Sequence, residues 1–406
     1  MKILLTDLAY FYHNYGAQGI LLPFLEIFSK QVDAEFSVTI SETKYLAQDL
    51  QYAEAKDFNL YQKPRINIST FLSTVKHKKH KEFKELVKNN DVIIDLSGIE
   101  FIGNLPIINK WKNLINTLYT QKLAKRYKKK YYKYTKSYGP FQDYLYNFFV
   151  SKYLNKLPFL QVRGKNNLKE VNKLNIKIPV KAFPDISLAL KPADTDWADN
   201  YLKRVFPNIS KKIFGISPSV VIRSIKSISG KITGEDHVKL CKQIITKYCE
   251  KGQSVLLIPH SIGNGRNLSN CDLALARKIY NEMGNLENLF ILDDFTLSYS
   301  QVRAIIGLLD FYVTSRYHSV ASALNMSIPV ISLSWHIKYK DIMSLYLNDF
   351  LVIDCRENTI QQGLRLIEQY YLNRKWYDKK MIKKSQHNIE QQIDESIKMI
   401  IDDIKR

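Results

Sequence analysis

The sequence predicts an α/β protein built as two successive units, each a parallel sheet covered by helices. Three observations carry this. Apolar strand-like runs alternate with segments of helical period along most of the chain, the pattern of βαβ units around a parallel sheet. The pattern restarts after a polar break near 191–210. A length of 406 residues is long for one core, so two domains are the default.

In order, "MKILLTDLAY" reads as a first strand and "NYGAQGILLPFLEIFSKQV" as a loop entering a helix. "AEFSVTIS" is the next strand. "HKEFKELVKNNDVIIDLSGIEFIGN" is a helix, an Asn turn, an apolar strand and a polar loop. "LPIINKWKNLINTLYTQKLAKRYKKK" is helical in period, "LPFLQVRGKNNLKEVNKLNI" reads strand, turn, helix, and "IPVKAFPDISLAL" closes this half. After the break come a strand, "KKIFGISPSV", a helix ending at Gly252, the strand "QSVLLIPHS", a helix ending at Gly284, the strand "NLFILDD" and the helix "SYSQVRAIIGLLD". "FYVTSRYHS" and "IPVISLSW" are strands flanking "VASALNMS", and "FLVIDC" is the last strand. The expected organisation is an N-terminal domain over 1–195, a C-terminal domain over 205–371 and a charged helical tail over 372–406.

The formal net charge is +21. It suits an anionic partner, whether nucleic acid, lipid surface, acidic polymer or phosphate substrate, and does not choose among them. A lysine-rich proteome is the plain alternative. Cys241, Cys249, Cys271 and Cys355 form no CxxC pair, and no His stands at ligand spacing. Reduced thiols and no metal are therefore expected. The N-terminus lacks the apolar core and cleavage site of a signal peptide, and no run reaches the ~20 apolar residues of a membrane span. A cytoplasmic protein is expected, with peripheral contact to the inner membrane face as an option.

In doubly wound sheets, ligands bind beyond the carboxyl ends of strands, so the strand-to-helix loops carry the candidate chemistry. "TSRYHSVASALNMSIPVISLSWHIKYKDI" is the most informative stretch. Ser315, Arg316 and His318 follow one strand, and His336, Lys338 and Lys340 follow the next. No carboxylate lies between Asp310 and Asp341. A helix N-terminus, a guanidinium fork and a proton-transferring imidazole suit a small anion. A surface Arg with a capping His is the plain alternative. In "PHSIGNGRN", His260, Ser261 and Arg266 are further donors, and in "GISPSVVIRS" a small-residue loop precedes Arg223. "HNYGAQG" sets Asn14 and Gly16 at a turn but is not a dinucleotide fingerprint. "IIDLSGIEFIG" offers Asp95, Ser97 and Glu100, one carboxylate being a candidate base toward a hydroxyl. A structural role for Asp95 is weighed equally. Residues 122–136 combine basic residues and Tyr without an acid. That composition suits single strands, anionic headgroups or a sugar polymer, or else a solvated helix face running into an edge strand. The basic run 76–84 reads as a solvated helix start.

Together these pieces resemble the polysaccharide pyruvyl transferase family. The carrying motifs are "NYGAQ", "DVIIDLSG", "SYGPF", "VRGKNNLKEVNKL", "DISLAL", "GISPS", "LLIPHS" and above all "SRYHSVASALNMSIPVISLSWHIKYKDIM", spread over roughly residues 1–350. The resemblance implies a GT-B-like architecture of two Rossmann-like domains with parallel sheets facing a central cleft. It implies phosphoenolpyruvate as donor and co-substrate, with no other cofactor, and a sugar or polysaccharide acceptor, lipid-linked or not. Arg316 and His318 match the family's Arg-x-His, and the donor is expected to meet Arg223, Ser315, His260, His336 and Lys338. The acceptor is expected to meet Asn14, Gly16, Ser97 and Glu100, with Asp95 or Glu100 as base. The sequence reads "KSYGPF", with Lys136 where the family commonly has Gln, and "KYYKYT" before it is polar for a buried strand. The expected activity is formation of a pyruvate ketal on a cell-surface polysaccharide or its precursor. The alternatives are a GT-B glycosyltransferase using a nucleotide sugar and a non-enzymatic basic module binding an anionic polymer. Residues 122–136 are the candidate membrane contact, and nucleic acid is not the favoured partner.

Overall fold

The computed structural model of the chain describes all residues except 44, 65–77, 104, 228–229, 263–270, 285 and 374–376. Two compact units emerge. One comprises residues 1–12, 20–186 and 391–406, the other residues 13–19 and 187–390. The division differs from the expected linear one in two places. The loop 13–19 belongs with the second unit, and the tail contributes its last turns to the first. Sequence pattern marks where helices run but not which core each helix end joins.

In the first unit, β1 (Lys2–Leu8), β2 (Glu35–Ile40), β3 (Asn59–Gln62), β4 (Val92–Asp95) and β6 (Lys130–Lys133) form a parallel sheet in the order β3-β2-β1-β4-β6. Short parallel pairs join β5 (Ile99–Glu100) to β7 (Ser137–Tyr138) and β8 (Leu160–Arg163) to β9 (Val180–Phe183). The helices include α1 (Tyr15–Ser29), α2 (Leu46–Glu54), α3 (Lys78–Asn89), α4 (Ile107–Arg126), α5 (Tyr144–Leu154) and α6 (Lys165–Val171). Ile3, Leu4, Leu5, Ile93 and Ile94 are buried, as continuous apolar strands in a two-sided sheet require. β6 is the surprise. Tyr132 within it and Tyr134 just after it are buried with their hydroxyls bonded: Tyr132 donates to Asp403 Oδ2 at 2.6 Å, and Tyr134 pairs with Ser396 Oγ at 2.8 Å. The C-terminal helix thus covers the strand, and the polar "KYYKYT" is a core element.

In the second unit, β10 (Ile213–Ser217), β11 (Ser254–Leu257), β12 (Leu289–Ile291), β13 (Phe311–Thr314), β14 (Val330–Ser334) and β15 (Val352–Asp354) form a parallel sheet in the order β12-β11-β10-β13-β14-β15. That is the doubly wound order, which reverses direction between β10 and β13. Ser217 lies opposite Thr314 at that point. The connecting helices are α7 (Thr195–Val205), α8 (Val220–Ser224), α9 (Glu235–Glu250), α10 (Asp272–Met283), α11 (Tyr299–Ile306), α12 (Tyr317–Asn325), α13 (Lys338–Ser344) and α14 (Ile360–Leu372), followed by α15 (Lys379–Lys405). Among the described residues, no helix is long and apolar enough to cross a membrane.

Candidate active site

The carboxyl ends of β10 and β13 carry the candidate site. β13 stops at Thr314 because Ser315 and Arg316 turn the chain into α12, with Arg316 extended at the helix cap. The Ser315 N–H bonds the Ser217 carbonyl at 3.2 Å, and the Ser315 carbonyl accepts from the Tyr339 hydroxyl at 2.8 Å. This loop is therefore tied to the end of β10 and to α13, which follows β14. α12 has no side-chain cap and no acid in its first turn, which leaves an open positive helix end.

Arg316 does not stand in an acid-free bed. Its Nε and Nη2 donate to the two oxygens of Asp272 at 2.7 and 2.6 Å. Asp272 also accepts the N–H groups of Val220 at 3.1 Å and Ser261 at 3.0 Å. Four donors saturate this fully buried carboxylate, which ties together the loops after β10, β11 and β13. The acid-free reading of residues 310–341 holds along the sequence and fails in space, because the start of α10 supplies the acid. Arg316 Nη1 makes no hydrogen bond to another described residue.

His318 sits in the first turn of α12, where Tyr299 holds its carbonyl through a 2.7 Å hydrogen bond. Behind Tyr299 lies the fully buried Arg303. It donates to the Tyr299 hydroxyl at 3.1 Å and to the Ser187 carbonyl at 2.8 Å. Gly16 lies so close that a Cβ there would stand 2.9 Å from His318 Cε1. Asn14 accepts from the Ala17 N–H at 3.2 Å and bridges Ser261 through the backbone. Asn14 and Gly16, expected on the acceptor side, are thus brought to His318 and the loop after β11.

His260 completes the group. It is 6 % exposed, and its ring meets those of Tyr15 and Tyr299 edge-on at 5.4 and 5.5 Å. Neither ring nitrogen has a hydrogen-bond partner among the described residues, and the same holds for the buried Ser315 Oγ. Burial, then the nearby His318 and Arg316, push the His260 pKa well below its ordinary value, so the ring is neutral. Buried polar atoms without partners are uncommon. Here they cluster beside a cation and an open helix end. Arg266 lies outside the described residues.

Two expected donor residues are engaged differently. Arg223 pairs with Glu235, Nε to Oε1 at 2.7 Å, so its charge is already met. His336 accepts the Lys338 N–H at 3.2 Å through Nδ1. Burial, then Lys338, lower its pKa to about 4. The Lys338 ammonium lies 4.7, 5.5 and 5.8 Å from the ring centres of Trp335, Tyr339 and Tyr317, an aromatic surround that attracts a cation.

In the first unit, Asp95, Glu100, Lys133 and Lys136 form a buried cluster. Asp95 lies 2.6 Å from the Lys133 ammonium and 2.5 Å from that of Lys136. Glu100 lies 2.8 Å from Lys133 and accepts from Thr117 Oγ1 at 2.8 Å. Ser97 donates to Asp95 and accepts from Lys136 at 2.6 Å. Burial opposes ionisation of Asp95, but the two ammonium groups outweigh it and hold the carboxyl far below the usual range. A 1 % exposed, doubly paired carboxylate is no base toward a hydroxyl, which corrects the expectation for Asp95. Ser97 and Glu100 line a cavity of about 640 Å³ with Asp7, Lys63, Asn113 and Asn116.

Sequence reasoning missed Asp272, Tyr299 and His237. Asp272 opens a helix like any first-turn acid, and the sequence does not say that Arg316 lands on it. His237 accepts the Ser219 N–H at 3.0 Å, fixing the loop after β10. Its place in the first turn of α9 carries no sequence signal.

Residues 14–337 match the family described as polysaccharide pyruvyl transferase. No curated protein matches the chain in sequence. Among solved structures, the UDP-GlcNAc 2-epimerase of Neisseria meningitidis bound to UDP-GlcNAc is similar at TM-score 0.56 and 11 % identity, covering 99 % of each chain. A ugt transferase from Siraitia grosvenorii in complex with UDP is similar at TM-score 0.57 and 8 % identity, covering 100 % of each chain. The UDP-GlcNAc 2-epimerase of Methanocaldococcus jannaschii reaches TM-score 0.54 at 11 % identity, covering 96 % of this chain and 98 % of that one. At such identities the likeness is one of fold, and the fold is GT-B-like.

Proposed function

The chain belongs to the polysaccharide pyruvyl transferase family, and from that premise we propose that it transfers pyruvate from phosphoenolpyruvate to a sugar of a surface polysaccharide or its precursor, as a ketal. The observation that carries this reading is the group of partnerless buried polar atoms, His260 and Ser315 Oγ, beside Arg316 and the open end of α12. A small, multiply charged anion meets that requirement. Arg316, Lys338 and the α12 amides would hold the carboxylate and phosphate, with His260 and Ser315 supplying neutral hydrogen bonds. The chemistry balances on one imidazole. Protonated His318 delivers its proton to the methylene carbon, and C2 becomes electrophilic. An acceptor hydroxyl adds to C2 and its proton returns to His318. The C2–O bond to phosphate breaks. A second hydroxyl then closes the ketal, its proton leaving with phosphate. No separate carboxylate base is needed, in keeping with the pairing of Asp95. The cavity beside Ser97 and Glu100 is our candidate for acceptor contacts.

Nucleotide-sugar transfer is the weaker reading. A ribose-holding carboxylate is wanted near the donor, and Asp272 is saturated by four donors. Calorimetry with phosphoenolpyruvate tests the proposal on wild type, Ser315→Ala and His260→Phe. Binding should weaken roughly 10- to 100-fold in each variant, the value of a hydrogen bond to a charged group. Phosphate release with a ketal methyl signal by NMR should follow when an acceptor glycan is added. No affinity for phosphoenolpyruvate alongside clear affinity for uridine diphosphate would overturn the reading.

A further inference from the structure

The first unit exposes an apolar face that its own fold does not cover. Ile107 and Ile108 at the start of α4 are 68 % and 67 % exposed, and on α5 Tyr144, Leu145, Phe148 and Phe149 range from 90 % to 42 %. The two helices are neighbours. The Trp111 ring meets those of Tyr146 and Phe149 at 5.8 and 5.5 Å, and Lys110 pairs with Asp143 at 2.8 Å. These side chains therefore belong to one patch. Patches of large apolar residues are seldom left bare unless they meet a partner.

The character of that partner follows from the far ends of the same helices. Tyr153 of α5 reaches the Thr117 carbonyl of α4 at 3.5 Å, so the helices run side by side toward their C-termini. There Lys122, Lys125, Lys128, Lys129, Lys130 and Lys156 line a cavity of about 900 Å³. Among the described residues the one acid on its wall is Asp403, whose carboxylate accepts from Tyr132 and whose backbone carbonyl accepts from Lys130. Aromatic and aliphatic side chains flanked by lysines suit the boundary between acyl chains and anionic headgroups. A second copy of this chain would bring the same lysines and repel. A soluble phosphate would leave the six exposed apolar side chains in water.

We propose that the α4–α5 face docks this protein on an anionic bilayer surface, with Leu145 and Phe148 entering the interface and the lysine-lined cavity receiving phosphate headgroups. This revises the contact expected over 122–136. Lys133 and Lys136 are buried, so the basic contribution stops at Lys130, and the apolar part comes from α5 and the start of α4. The inference is independent of the reaction catalysed.

The test is co-sedimentation of the full chain with vesicles of phosphatidylcholine, alone or mixed with phosphatidylglycerol. Binding to the mixed vesicles should exceed binding to the neutral ones by at least about tenfold and weaken steeply with salt. Lys125→Glu with Lys128→Glu should weaken it further, since each lysine near the surface is worth roughly fivefold. Leu145→Ser with Phe148→Ser should cost about tenfold or more, with the circular dichroism spectrum unchanged. No binding to anionic vesicles at low salt would overturn the proposal. So would binding indifferent to both variants, or displacement by inorganic diphosphate with the apolar variant unaffected. A concentration-dependent dimer that Leu145→Ser with Phe148→Ser dissolves would assign the face to self-association instead.

Discussion

Each unit gathers cations and carboxylates at the carboxyl end of its sheet, and the two gatherings end in opposite states. In the first unit, Lys133 and Lys136 face Asp95 and Glu100 at 2.5–2.9 Å in the closest contacts. The charges cancel, while Ser97 and Glu100 also line the neighbouring cavity. In the second, Asp272 takes Arg316 and two backbone amides, while His260 and Ser315 keep polar atoms that no described residue meets. A structural cluster and a binding site that look alike in sequence are told apart by whether their buried polar atoms are met. Saturation marks scaffold, and unmet buried donors and acceptors mark a place for a ligand.

The largest effect is expected of His318→Gln. As the proton donor, His318 should lose roughly 10²–10⁴ in kcat while the thermal midpoint stays put. A rate within a few-fold of wild type would move the proton chemistry elsewhere. Lys133→Met should do the reverse. It removes the nearest cation of Glu100 and one of the two that face Asp95, and should destabilise by about 3–5 kcal/mol, measured by denaturant unfolding, while phosphoenolpyruvate binding persists in the folded fraction. Adding Asp95→Leu should recover part of that loss. Gly16→Ala comes next. The new methyl meets His318 Cε1 at 2.9 Å, so turnover should fall roughly tenfold through a displaced ring, with donor affinity nearly kept. The smallest effect belongs to Arg223→Ala, because Glu235 already holds that guanidinium. Its kcat/KM should stay within roughly threefold of wild type, and a hundredfold loss would mean Arg223 leaves Glu235 for a ligand.

Acid should separate the two units as well. Burial lowers the pKa of His237 to about 4, with Arg316 adding to it, and lowers that of His336 to about 4. The unfolded chain takes up these protons near pH 6.5. Their contribution to the second unit is therefore full above about 6.5 and lost as pH falls toward about 4. Asp95 is depressed below the carboxylate range, so the first unit keeps its contribution until pH drops below about 4. Segment-resolved amide exchange between pH 7 and 4 should show the second unit losing protection first.

Much of the fold was legible because parallel sheets write themselves plainly. Runs such as "SVLLI" and "FYVT" are buried on both faces and so carry no polar alternation, and the helices between them keep their period. The Arg-x-His motif was legible for a related reason. Residues at a strand end and in the next helix turn are close in sequence as well as in space. "KYYKYT" resisted reading because its Lys133 finds its counter-charges on β4 and β5, more than thirty residues away.

Local pattern was enough for the two α/β halves, the strand-end loops and the choice of Arg316 and His318. Which charges are already paired depends on the folded chain. It set Asp272 on Arg316, closed Lys133 and Lys136 upon Asp95, and brought Gly16 against His318. It also left α5 with a bare aromatic face. Each of these depends on pairings between distant segments, and electrostatic energy depends on separation in space and on burial, which order along a chain does not specify.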